Sequence, residues 1–219
     1  MNKETMKILR IIVPGIIILI IIYALRYDHS IMIKQIQSIN IIKGTWQFIL
    51  AVIFGAIYYC LHLRNIFFIK PIQEIVNNIK DKLLSPFQNN NLIQNHIIEL
   101  KSNRTLLHIF YNFIDNDQSL KEKAKNVYYN GLFLSSSADV AILSLLSSPI
   151  AIILFLVNKT IYHLYLSIIF TIIFFISRFV ILPILKKTHI DLSNEQLEYI
   201  DVHFKEELQE KIINRINSL

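Results

Sequence analysis

The sequence predicts an all-α integral membrane protein, with four transmembrane helices in two hairpins and a small cytoplasmic helical module built from a central insert and a C-terminal tail. Three observations predict it. Hydrophobic residues make up 53% of the chain and charged residues only 17%, far from the balance of a water-soluble domain. The apolar residues gather into four runs, Ile11 to Leu25, Thr45 to Leu63, Val140 to Val157 and Thr160 to Ser177, near the roughly 20 residues that a hydrocarbon core requires. Finally, 18 of the 22 Lys and Arg fall within residues 1–10, 64–125 and 178–219, leaving Arg26, Lys34, Lys43 and Lys159 for the other side. By the positive-inside rule, both termini and the middle of the chain face the cytoplasm, in a multi-pass protein of the inner (plasma) membrane.

The elements run in order: a first transmembrane hairpin with a short external loop (residues 1–69), a cytoplasmic insert (70–130), a second hairpin (131–185) and an amphipathic tail (186–219). The first run is short, and Lys7, Arg10 and Arg26 can snorkel to extend it. It has the charged start and apolar stretch of a signal peptide, but "YALRYD" lacks the small residues of a cleavage site, so an uncleaved anchor is expected. The Ile-rich loop "RYDHSIMIKQIQSINIIKG" is expected to lie as a short interfacial helix, with Trp46 as an outer aromatic anchor.

In the insert, Pro71 suits a first helical turn, Ile72, Ile75, Val76, Ile79 and Leu83 recur at helical spacing, and Ser85 with Pro86 stops the helix. One or two further helices carry Leu106, Leu107, Phe110, Phe113 and Ile114. "SLKE", Ser119 to Glu122, has the form of a capping box, and the helix that it opens is expected to run through Leu120, Ala124, Val127 and Tyr128 into the third span. The tail places Leu197, Ile200, Phe204, Leu208, Ile212 and Ile216 on one stripe, which docks on the insert or forms a coiled coil between subunits.

One carboxylate, Asp139, sits at the edge of the third span. The third and fourth spans are joined only by Asn158 and Lys159, so residues equally far from that turn lie at equal depth, and Asp139 matches Arg178. About nineteen helical residues cover about 29 Å, one hydrocarbon thickness, which puts both at the inner boundary. Arg10 and Arg64 fall at the same level. Asp139, Arg178, Arg64 and Arg10 are therefore candidates for an inner-boundary ion pair, with Arg178 as the expected partner of Asp139, or for a site that takes an anionic lipid or ligand. A row of mostly small residues, Gly131, Ser135, Asp139, Leu143, Ser147 and Ala151, and the pair Ala51 and Gly55 predict close packing between the third and second spans, within a subunit or between subunits.

Catalysis is disfavoured. An intramembrane aspartyl protease needs two facing carboxylates and only Asp139 is at hand. No "GxSxG" surrounds Ser135 to Ser137, and His163 belongs near the opposite face of the membrane. The seven His occur singly and Cys60 is the sole cysteine, so no metal or cofactor is expected. Basic and acidic residues nearly balance in the insert, with no aromatic-basic motif, which argues against nucleic acid. The expected function is a non-enzymatic sensor or membrane effector of a prokaryotic stress or phage-defence system. Its expected partners are the bilayer with its anionic lipids, further copies of the chain as a homo-oligomer, and a cytoplasmic protein. The alternatives are a small oligomeric channel or transporter, with the polar stripe lining a pore, and an intramembrane enzyme with a second catalytic group beside Asp139.

Overall fold

The computed structural model describes residues 3–26 and 45–217, and every regular element among them is helical. The predicted interfacial helix of the loop lies outside the described residues. Three helical runs, Thr5–Arg26, Gln118–Asn158 and Ile161–His203, are long and apolar enough to cross a membrane, and a fourth span exists if Trp46–Cys60 and Asn65–Phe87, bent by 68°, count as one. Contacts divide the chain into two units, Met1–Ile69 with Leu132–Ile184, and Lys70–Gly131 with Leu185–Leu219.

In the first unit, α1 (Lys3–Arg26) outruns its apolar stretch because nothing between Lys3 and Arg10 breaks a helix. Pro14 lies inside it, and its ring nitrogen has no hydrogen to give the Arg10 carbonyl one turn earlier. The second helix, α2 (Thr45–Cys60), is shorter than the expected run to Leu63. The reason is local: His62 adopts the left-handed conformation (φ 53°) and its Nδ1 donates to the Cys60 carbonyl at 2.8 Å, closing the helix in a turn.

The helix α3 (Asn65–Leu84) then starts six residues before Pro71, so that proline sits inside the helix and not in its first turn. Leu84 is its last residue, and a 3-10 turn, Ser85–Phe87, holds Pro86. Beyond it come α4 (Asn91–Asn95), α5 (Ile97–Ser102) and α6 (Thr105–Asn116), three short helices where one or two were expected. Asn90 caps α4 by accepting from the Leu92 and Ile93 amides. The long helix α7 (Gln118–Asn158, 41 residues) starts one residue before Ser119, because Asp117 is the cap: its carboxylate accepts the Leu120 amide at 2.8 Å. A charged acceptor already fills the role expected of Ser119.

The turn after α7 is closed by Lys159 in the left-handed conformation (φ 57°), its amide bonded to the Phe155 carbonyl at 2.8 Å. Next, α8 (Ile161–Phe175) leads through a π-helical stretch, Ile176–Ile181, into α9 (Leu182–His203). Pro183 explains the π turn, since its ring would press on the Phe179 carbonyl of a regular α-helix and the wider turn relieves that contact. The tail is not one separate helix: α9 runs without interruption through residues 186–203, and the chain breaks only at Phe204 before α10 (Lys205–Ile216).

The second unit packs as a small water-soluble domain does. Ile79, Leu83, Ile93, Leu106, Phe110 and Leu120 are buried, and so are Leu197, Ile200, Leu208, Ile212 and Ile216 of the tail. The tail stripe docks on α4 and α6 of the insert, with Phe204 against the Phe113 ring at 5.5 Å.

Candidate functional site

The first unit is built around polar contacts. Along α1 and α2, Gly15 faces Ala51 and Gly55 faces Ile11, an antiparallel register so close that a Cβ on Gly15 would overlap the Ala51 carbonyl oxygen and one on Gly55 the Ile11 carbonyl oxygen. The helices therefore meet backbone to backbone, as in other small-residue membrane contacts. Within the chain, Ala51 and Gly55 thus serve the first span and not the third. Gly15 is the partner residue that the spacing argument missed.

This approach brings four groups together at one end of the helices. Asp139 on α7 is fully buried. Arg64, in the turn after α2, clamps it with Nε to Oδ1 and Nη2 to Oδ2, each at 2.7 Å, and Tyr58 on α2 donates its hydroxyl to Oδ1 at 2.9 Å. Arg64 Nη2 also donates to the Arg10 carbonyl at 2.6 Å. That carbonyl is the one that Pro14 leaves without its helical donor. The proline in α1 thus creates the acceptor and the bend after α2 delivers the guanidinium. One side chain ties α1, α2 and α7 together.

Arg178 is elsewhere. Its guanidinium lies over the Phe67 ring at 5.2 Å and the Phe179 ring at 5.7 Å. Arg178 lies within the π turn, whose wider spiral displaces its side chain from the direction that an unbroken α-helix would give it, and so departs from the expected Asp139–Arg178 pair. Both Asp139 oxygens are in any case taken. Tyr58, Pro14 and Phe67 escaped the sequence reading; the one available signal was Pro14, which frees the carbonyl four residues earlier, that of Arg10.

The small-residue row of α7 packs inward. Gly131, Ser135, Ser147 and Ala151 are buried, Ser135 bonds back to the Leu132 carbonyl and Ser147 to the Leu143 carbonyl, and Ala151 packs with Leu166 and Phe170. Ser148 meets Ser167 at 3.0 Å and Thr171 at 2.9 Å, and Ser137 donates to the Ser177 carbonyl, which sets the antiparallel register of α7 and α8. At the other end of α1, Tyr162 and His163 donate to the Ala24 and Leu25 carbonyls, acceptors that the helix terminus cannot satisfy itself.

Chemically, Asp139 is a heavily engaged carboxylate: three donors reach its two oxygens, and the side chain is fully buried against them. Among the described residues no three His, Cys, Asp or Glu are grouped to hold a metal ion. Beside the clamp a cleft of about 520 Å³ opens between α1 and the turn after α2, its polar lining Lys7, Arg10, Tyr58, Tyr59, His62, Arg64 and Asn65, with no carboxylate among the lining residues. A larger hollow of about 670 Å³ in the second unit lies beside Lys211, but that ammonium is engaged by Asn112, Glu207 and the Phe113 ring. No known protein family, curated protein or solved structure matches this chain.

Proposed function

We propose that the chain is a non-enzymatic multi-pass membrane protein, with both termini cytoplasmic, in which the helical unit Lys70–Gly131 with Leu185–Leu219 senses or relays a cytoplasmic event to the membrane helices. One observation carries the reading: a single helix, Gln118–Asn158, supplies its first part to one unit and the rest, including Asp139, to the other, with no break at Gly131. A continuous helix transmits rotation or tilt, and the Arg64 clamp on Asp139 is a contact that such a movement would strain. The segregation of Lys and Arg supports the orientation, and the exposed Ile, Leu and Phe of the first unit support lipid contact and self-association. Layout alone connects it to membrane effectors of stress or phage-defence systems.

Insertions after Lys125 test the coupling. Two added residues rotate everything beyond by about 200°, whereas seven restore the face to within about 20°. Expression of the native chain is expected to raise membrane permeability, the two-residue insertion to abolish the effect and the seven-residue insertion to retain part of it. Equal activity of the two insertions, or no permeability change from the native chain, would contradict the reading.

A further inference from the structure

We infer that the cleft beside the Arg64 clamp binds the phosphate of an anionic phospholipid headgroup. Its lining includes the Lys7, His62 and Arg64 side chains and no carboxylate. Asp139 holds Arg64 in place through Nε and Nη2, and Nη2 also meets the Arg10 carbonyl, so the two hydrogens on Nη1 have no partner among the described residues. A guanidinium fixed on one side and open on the other is prearranged for a phosphate oxygen. The Lys7 ammonium is exposed at the same cleft. His62 is anchored through Nδ1 in a left-handed backbone conformation that few residues other than glycine adopt, and such strain gathers at binding sites.

The surroundings identify the source of the phosphate. Ile8, Leu61 and Ile66, each next in sequence to a lining residue, are at least 56% exposed, so acyl chains beside the headgroup would meet apolar surface that a free phosphate would leave bare. At the cytoplasmic boundary, clustered basic side chains meet the anionic leaflet. The inference rests on the membrane reading given above, but it is tested without reference to coupling or permeability.

Full-length protein in detergent is titrated with dioleoylphosphatidylglycerol, dioleoylphosphatidylcholine or inorganic phosphate, and binding is read from the rise in melting temperature and from lipid adducts in native mass spectrometry. Phosphatidylglycerol is expected to stabilise and to remain bound, and phosphatidylcholine to do neither. The variant Lys7→Gln leaves the clamp and the His62 turn intact and should melt as the native chain does without lipid. It should bind phosphatidylglycerol about fivefold more weakly, the loss expected for one surface charge near an anionic lipid. Equal stabilisation by the two lipids, or unchanged binding by folded Lys7→Gln protein, would overturn the site. Stabilisation by inorganic phosphate equal to that by phosphatidylglycerol would overturn the lipid as its source. If Lys7→Gln melts early without lipid, the native chain's preference for phosphatidylglycerol over phosphatidylcholine carries the test, with equal stabilisation by the two as the result that overturns the site.

Discussion

The two units differ in what they leave at the surface. In the first, Asp139, Ser135, Ser147 and Ser167 are at most 4% exposed while Ile153, Leu156, Ile169 and Phe175 are at least 50% exposed. In the second, Ile93, Leu106, Leu120 and Ile212 are fully buried, and Lys, Glu and Asp populate the surface. A water-soluble unit gathers its apolar side chains because water expels them. A unit surrounded by hydrocarbon gains little from doing so, and is held by close backbone approach and satisfied polar groups. The difference teaches where each unit is vulnerable: the first at its glycines and its ion pair, the second at its large aliphatic residues.

The sharpest way to break this comparison is Gly55→Val. The added side chain would coincide with the Ile11 carbonyl oxygen, a backbone atom that cannot yield, so the full-length protein should fail to give a folded peak on gel filtration in detergent. In a unit held by apolar burial, the corresponding lesion is a cavity: Leu106→Ala should cost about 2–5 kcal/mol in the second unit and leave the chain extractable and folded. A well-folded Gly55→Val protein would show that α1 and α2 are not held backbone to backbone.

The clamp comes next. Arg64→Ala and Asp139→Ala should each cost about 3–5 kcal/mol, because each strands the other charge in a buried site. Replacing both by Leu should recover much of that loss, as read by thermal melting in detergent. Arg178→Ala is the control, because its guanidinium rests on two rings and should cost only about 1 kcal/mol. An Arg178 loss as large as that of Arg64 would restore Arg178 as the functional partner of Asp139.

The all-helical class and the long apolar helices were legible because composition and run length register the surrounding solvent directly. The apolar stripe of the tail was legible for the same reason: Leu197, Ile200, Leu208, Ile212 and Ile216 recur at helical spacing and are buried together. What escaped depended on local changes of backbone rotation. The turn at His62 cuts the second span short and redirects Arg64 toward Asp139, and the π turn before Pro183 carries Arg178 away. Depth arithmetic on ideal helices cannot foresee either, since it fixes height along an axis and not direction around it. The Arg10 carbonyl depends on Pro14, whose effect falls four residues away on a group that carries no sequence signal of its own.

The central claim is that the first unit turns its large apolar side chains to lipid and the second turns its surface to water. Trp46 is the sole tryptophan and is 77% exposed, so Trp46→Phe provides a silent background. In that background, Ile169→Trp in α8 and Ile98→Trp in α5 each place one reporter at an exposed site of one unit. In proteoliposomes, lipids brominated along their acyl chains should quench the reporter at position 169 and leave the one at 98 bright, while aqueous iodide should do the reverse. Quenching of the reporter at 169 by iodide and not by bromine would contradict the account.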